Sequence, residues 1–184
     1  MTKRFVHRAR TPILFACEGD SEVAYVRFLQ DILPKEPPLH LRSVNLRGGN
    51  PESMLYQADK LARGKHSDIK RKNYVLLIDA DCLEEHFQSA HEIETFAREV
   101  ERKHFQLVLM RPNFEGFLLR HFQNQERIFP AKAQAIRELM RFWPQYKKPP
   151  TARELHQRFT LAEVQRAALH DAEVRSLLSR IGLL

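Results

Sequence analysis

Apolar positions along this chain follow two rhythms, and their alternation lays out the fold. "TPILFAC" (residues 11–17) is a short apolar run entering a polar turn, which reads as a buried strand. "SEVAYVRFLQDIL" (21–33) then places Val23, Val26, Leu29 and Leu33 near one helical face, with Pro34 after its end. A second strand is predicted over "LHLRSVNL" (39–46), then an "RGGN" turn, then a helix that Pro51 opens and Gly64 stops. In "NYVLLID" (73–79) Val75 to Ile78 are all apolar, as in a strand covered on both faces. "EEHFQSAHEIETFAREVERKH" (84–104) reads as helical. "FQLVLM" (105–110) follows as a fourth strand, ended by Pro112, and "NFEGFLLRHF" (113–122) as a short helix.

Strand and helix alternate four times, the pattern of an α/β sandwich around a mainly parallel sheet with flanking helices. From residue 130 the strand rhythm stops. "PAKAQAIRELMRFW", "TARELHQRF" and "LAEVQRAALHDAEVRSLLSR" are predicted to be helical, with "PQYKKPP" (144–150) as the linker candidate. The expected organisation is an α/β core over residues 1–129 and a helical C-terminal region over 130–184, packed on that core. No internal repeat or low-complexity tract interrupts it.

Composition narrows the class. The chain has 184 residues, 43% hydrophobic and 29% charged, as in a globular domain. No apolar run approaches the roughly 20 residues that span a bilayer, so no membrane association is expected. The N-terminal stretch is basic and then apolar, but its apolar part is only about five residues, short for a signal peptide. Cys17 and Cys82 do not make a disulfide framework, and a cytoplasmic location is expected. The net charge of +7 gathers at Lys3, Arg4, Arg8 and Arg10, at Lys60, Arg63, Lys65, Lys70, Arg71 and Lys72, and at Arg137, Arg141, Lys147, Lys148, Arg153 and Arg158. Such a balance favours a polyanionic partner, although ordinary solvated surface also accounts for it.

The chemistry sits among the acids. Ligands of open α/β sheets lie at the carboxyl ends of the strands. Glu18 follows the first strand and Glu22 comes one helical turn later. Asp79 and Asp81 end the third strand, and Glu115 follows the fourth. If Asp79 and Asp81 are both extended, they share one face. Hard oxygen ligands of this kind suit Mg²⁺ or Mn²⁺. Taken singly, Glu22 and Glu115 also read as helix-start carboxylates, and Asp-x-Asp as an ordinary loop. Their coincidence at the strand ends of one sheet is the informative feature. Asp20 reads as a turn residue or cap, and Glu84 and Glu85 as an exposed helix start. No Gly-Lys-Ser/Thr follows Gly48 and Gly49, and no Cys/His spacing suggests zinc.

"CEGDSE" followed by "IDADC" resembles the Toprim pattern of topoisomerases, primases and OLD-type nucleases. Closer still, "EGDSEVAY", "RPNFEGFLLRHF" and "QYKKPP" in this order resemble the RloB-like family, over about residues 12 to 175. Ser21 stands where the family has Thr, and Arg111 where it usually has Asn. The resemblance implies that Glu18 acts as metal ligand or general acid/base, and that Asp79 and Asp81 hold a first ion. Glu22 would help bind a second ion, Glu115 would complete the set, and Lys148 would stabilise phosphate charge in the transition state. Without it, Lys147 and Lys148 are plain linker charge. His121 reads as a packed structural histidine more readily than as a ligand or proton shuttle, because it lies six residues beyond Glu115.

Two functions are therefore expected to compete. One is a Mg²⁺- or Mn²⁺-dependent nuclease acting on DNA or RNA in a bacterial phage-defence or restriction-associated system. The other is a non-catalytic nucleic-acid-binding subunit working with a partner ATPase encoded at the same locus. Topoisomerase and primase chemistry would need domains for which this length leaves little room.

Overall fold

The computed structural model describes residues 11–34, 39–125 and 131–184. The basic group Lys3, Arg4, Arg8 and Arg10 lies outside the described residues, as does the expected 129/130 boundary. Four parallel strands, β1 (Thr11–Cys17), β2 (Leu39–Asn45), β3 (Tyr74–Asp79) and β4 (Phe105–Met110), pair in the order β2-β1-β3-β4. All four predicted strands form.

Strand alternation divides the core into two layers. Ile13, Phe15 and Cys17 of β1, Val75 and Leu77 of β3, and Val108 and Met110 of β4 face one way. There they meet α1 (Asp20–Ile32) and the helices that follow β4. Leu14 and Ala16, Leu76 and Ile78, and Leu109 face the other way, onto α2 (Pro51–Arg63), α3 (Ala80–His86) and α4 (Ala90–Arg102). β3 is buried along its whole length, which is why its sequence shows no polar alternation. Each fully buried Leu or Phe contributes roughly 1.5–3 kcal/mol relative to exposure.

Beyond β4 come α5 (Phe114–Leu119), α6 (Lys132–Phe142), α7 (Ala152–Arg158), α8 (Leu161–His170) and α9 (Ala172–Arg180). They share the first layer's core: α6 lies against α5, α7 against α1 and α9 against β4. Three boundaries differ from the sequence reading. The helix expected over 84–104 is two helices, because Ser89 starts α4: its Oγ accepts from Glu92 N–H (3.3 Å) while Glu92 accepts from Ser89 N–H (3.1 Å). The stretch 161–180 breaks at Asp171, whose Oδ1 accepts from Glu173 N–H (2.8 Å) and Val174 N–H (3.1 Å) to cap α9. Residues 144–150 are not a linker, since Tyr146 is buried in the main core.

His121 is fully buried, and its ring bridges two elements. Tyr25 Oη and His121 Nε2 are 2.8 Å apart, and His121 Nδ1 is 3.2 Å from Phe117 O. The carbonyl can only accept, so Nδ1–H donates to it and Nε2 accepts from the tyrosine. Burial pushes the imidazole's pKa down to about 4. Unfolding therefore takes up a proton below about pH 6.5, and this part of the stability is lost as pH falls from there to about 4. The loss reaches about 3 kcal/mol. In urea melts, His121→Gln should destabilise the protein at neutral pH, yet show a shallower loss than wild type between pH 6.5 and 4. Equal slopes would mean that His121 is not buried as a neutral ring in solution.

Candidate metal centre

From β1 the chain moves outward to β2, and then returns across β1 to pair β3 on the other side. The crevice between the carboxyl ends of β1 and β3 is thus the topological switch point, the usual ligand site of open α/β sheets. Glu18 extends the ladder past β1 through its N–H to Leu77 O (3.0 Å). Its carboxylate Oε2 accepts from Asp79 N–H at 3.0 Å, which ties the two strand ends together.

Asp79 ends β3 on the same strand face as Val75 and Leu77, toward α1. The residue is 6% exposed, and its Oδ1 has no hydrogen-bond partner. Burial, then Glu22 and Glu18, push its pKa up to about 9, and Lys148 only partly offsets them. Glu22, in the first turn of α1, is 3% exposed and accepts from Gly19 N–H at 2.7 Å. Burial raises the pKa values of both Glu18 and Glu22, while backbone N–H donors pull them back.

Asp81 is not extended beside Asp79. It lies in the first turn of α3, because the helix begins directly at Ala80. Its N–H donates to Pro112 O (2.9 Å), joining α3 to the loop that delivers Glu115. Its Oδ2 is 2.8 Å from Lys132 Nζ. Glu115 is 1% exposed on α5, a helix started by Asn113, whose Oδ1 accepts from Gly116 N–H at 3.0 Å. A Cβ on Gly116 would come within 2.8 Å of Arg111 O and closer still to Pro112, so only glycine permits this seating. Tyr146 Oη donates to Glu115 Oε1 (2.9 Å), and Lys148 Nζ lies 3.1 Å from Oε1 and 3.3 Å from Oε2. Burial pulls the Lys148 pKa down, but Glu115, Asp79 and Glu22 outweigh it and leave it raised.

Of the six predicted site residues, four line one cavity; Glu22 and Glu115 are buried beside it, Glu22 close enough to raise the Asp79 pKa and Glu115 paired with Lys148. Glu18, Asp79, Asp81, Lys132 and Lys148 line an open cavity of about 430 Å³, with Gly49 on its rim. Among the described residues, no group of three His, Cys, Asp or Glu side chains gathers closely enough to hold an ion as the chain stands. The carboxylates are turned to other partners: Glu18 and Glu22 to backbone N–H groups, Asp81 to Lys132, and Glu115 to Tyr146 and Lys148. The donor set nevertheless fits a hard divalent cation. It is all oxygen, and a buried aspartate oxygen without a partner is what such an ion satisfies.

Other sequence candidates lie apart. His121 belongs to the core, not to the cavity. Arg111 pairs with Glu173 at 3.1 Å. The group from Lys60 to Lys72 lies at the end of α2 and in the loop before β3, at the sheet end opposite the carboxylates. Of the third basic group, Lys148 lines the cavity. Cys17 is buried, and Cys82 sits 3.7 Å from Gly49 O, its thiol pushed up to about 12 by burial and then by Glu18 and Asp81. Arg47, Gly48 and Gly49 all have positive φ, which confirms the turn at the cavity rim. Asp20 is not the cap of α1: Gly19 holds that position, and Asp20 accepts from Asn45 Nδ2 at 2.6 Å. Lys132 was not foreseen.

Fold and site define a parallel α/β domain with a carboxylate centre at its switch point. Within that class the chain belongs to the RloB-like family, whose model, described as "RloB-like protein", matches residues 13–177. No curated protein and no solved structure matches it. No helix among the described residues is long and apolar enough to cross a membrane.

Proposed function

We propose that this chain is a divalent-cation-dependent nuclease of the Toprim type, which hydrolyses phosphodiesters of DNA or RNA. The observation that carries this reading is Asp79: a buried residue, 6% exposed, with one carboxylate oxygen unpartnered and Glu18, Glu22 and Asp81 close enough to raise its pKa. As a purely structural arrangement, this would be several kcal/mol unfavourable. As a centre for Mg²⁺ or Mn²⁺, it is a set of hard ligands awaiting charge. Asp79, Asp81, Glu18, Glu22 and Glu115 would hold the cation, which supplies Lewis-acid stabilisation of phosphate charge and an activated water when bound. Glu18, at the cavity wall with its pKa raised by burial, is placed to take a proton from attacking water or give one to the leaving oxygen. Lys148 lines the same cavity and would bear on the phosphate oxygens. The setting in phage defence rests on the family resemblance alone.

A second reading has its own support. Lys132 and Lys148 already pair with Asp81 and Glu115, so much of the centre's charge is met without an ion. That arrangement would suit a nucleic-acid-binding subunit working with a partner ATPase. Labelled single- and double-stranded DNA and RNA, incubated with Mg²⁺, Mn²⁺ or EDTA, separate the two. Cation-dependent cleavage, reduced at least about 10²-fold in Asp79→Asn and Glu18→Gln, is the expected result. Salt-sensitive binding without cleavage in any metal would favour the subunit. Undiminished cleavage by Asp79→Asn would sink the metal-centre argument.

A further inference from the structure

Lys132 stands where its own helix disfavours it. It is the first residue of α6, whose N-cap Ala131 offers no side-chain acceptor and whose first turn holds no acid. The N-terminus of a helix carries positive partial charge, so a lysine is repelled where Asp or Glu would be favoured. Helices α2, α4 and α8 follow the rule, with Glu52, Glu92 and Glu163 in their first turns. The exception is explained by what lies opposite. Lys132 Nζ is 2.8 Å from Asp81 Oδ2 and 4.0 Å from Glu85 Oε1. The pair is sheltered at its acidic end and wet at its basic end: the Asp81 side chain is 12% exposed and that of Lys132 is 49% exposed.

Resting on the cation-centre reading above, we infer that Lys132 is a displaceable counter-ion of this centre. It holds Asp81 in the cation-free protein, competes with the divalent cation for that carboxylate, and swings toward the cavity mouth when the cation binds. The flexible four-carbon stem allows this without moving α6. Lys148 is built differently. Its partner Glu115 is 1% exposed, and both Glu115 oxygens lie within reach of the ammonium, with Tyr146 holding one of them. The centre thus has one lysine held by both oxygens of a deeply buried carboxylate and one held by a single oxygen of a less sheltered one. Release of Lys132 places a free positive charge beside the bound cation, where an anionic phosphate would arrive.

The test is Mn²⁺ alone, titrated by calorimetry into the full chain as wild type, Lys132→Met, Lys132→Arg and Arg137→Met at one ionic strength. Lys132→Met is expected to bind Mn²⁺ roughly three- to tenfold more tightly, the scale of a half-exposed ion pair. Lys132→Arg should bind no more tightly than wild type. Arg137→Met removes a charge from an exposed site on the same helix and should stay near wild type. Unchanged affinity in Lys132→Met, or an equal gain in Arg137→Met, overturns the counter-ion. Absence of Mn²⁺ binding in all four proteins is a separate result: it removes the cation centre, and this inference with it.

Discussion

Asp171→Ala is expected to lower stability by about 4 kcal/mol, more than an ordinary surface change by several-fold. Arg120 and Asp171 form an ion pair with side chains 2% and 5% exposed. Removing the acid leaves a guanidinium in the core with Arg111 O, at 2.6 Å, as its hydrogen-bond acceptor and the Glu173 charge as its support. Burial already lowers the Arg120 pKa to about 10, the sign of a cation held against desolvation. The same substitution removes the cap of α9, which adds about 1 kcal/mol. For a chain of this size the melting temperature should fall by roughly 10–15 °C. Asp171→Asn keeps an oxygen for the cap and loses the charge, so it isolates the ion-pair part. The double change Arg120→Met with Asp171→Asn should recover much of the loss, because no uncompensated charge remains. A loss below about 1 kcal/mol in Asp171→Ala would mean that the pair is solvated. The damage should also reach the centre, since Arg120 anchors Arg111, and the adjoining Pro112 O receives the Asp81 N–H.

What the sequence makes legible follows from periodicity. The four strands are visible because parallel strands are buried on both faces and so read as apolar runs, as in Val75 to Ile78. The carboxylates are visible because strand ends are. Helix boundaries inside 84–104 and 161–180 were lost to a periodicity that continues across the breaks. The local signals are nevertheless present: Ser89 three residues before Glu92, and Asp171 at the head of "DAEV". The condition that Asp79 and Asp81 are both extended is not met, for a related reason. Whether Asp81 is extended or helical depends on where α3 begins; the N-cap is Asp79, a residue type favoured there, although its side chain makes no cap hydrogen bond.

Lys132 shows a different limit. It lies about fifty residues from Asp81 in sequence, and no local pattern joins them. One feature does point to it: a lysine at the start of a helix without an acid or a polar cap, which a local reading leaves unexplained. Tyr146 and Lys148 were legible only through the family resemblance. By composition alone "PQYKKPP" is a linker, and its packing is set by Glu115, thirty-one residues before Tyr146 in the chain.

Asp79→Asn is expected to stabilise the cation-free protein while removing its response to cations. With an ordinary pKa of 3.8 and a folded value of about 9, Asp79 binds a proton in the native state over a range where the unfolded chain does not. Stability from this group is therefore fullest below pH 4 and declines as pH rises toward 9. At pH 7 the penalty is about 4 kcal/mol, from the interval between 3.8 and 7. An amide has no charge to desolvate, and its NH₂ can donate to the surrounding carboxylates. The metal-free variant should melt higher than wild type at pH 7, by as much as about 10 °C. Its stability should also change less between pH 6.5 and 9, a window in which His121 is already neutral. Divalent cation narrows the gap. Mn²⁺ at 100 times its dissociation constant should stabilise wild type by about 2.7 kcal/mol, and the variant by far less. Melts of both proteins in EDTA and in Mn²⁺, at pH 6.5, 7.5 and 8.5, test all of this together. A variant less stable than wild type in EDTA would show that the Asp79 carboxylate is a structural acceptor. The unpartnered oxygen would then no longer argue for a cation.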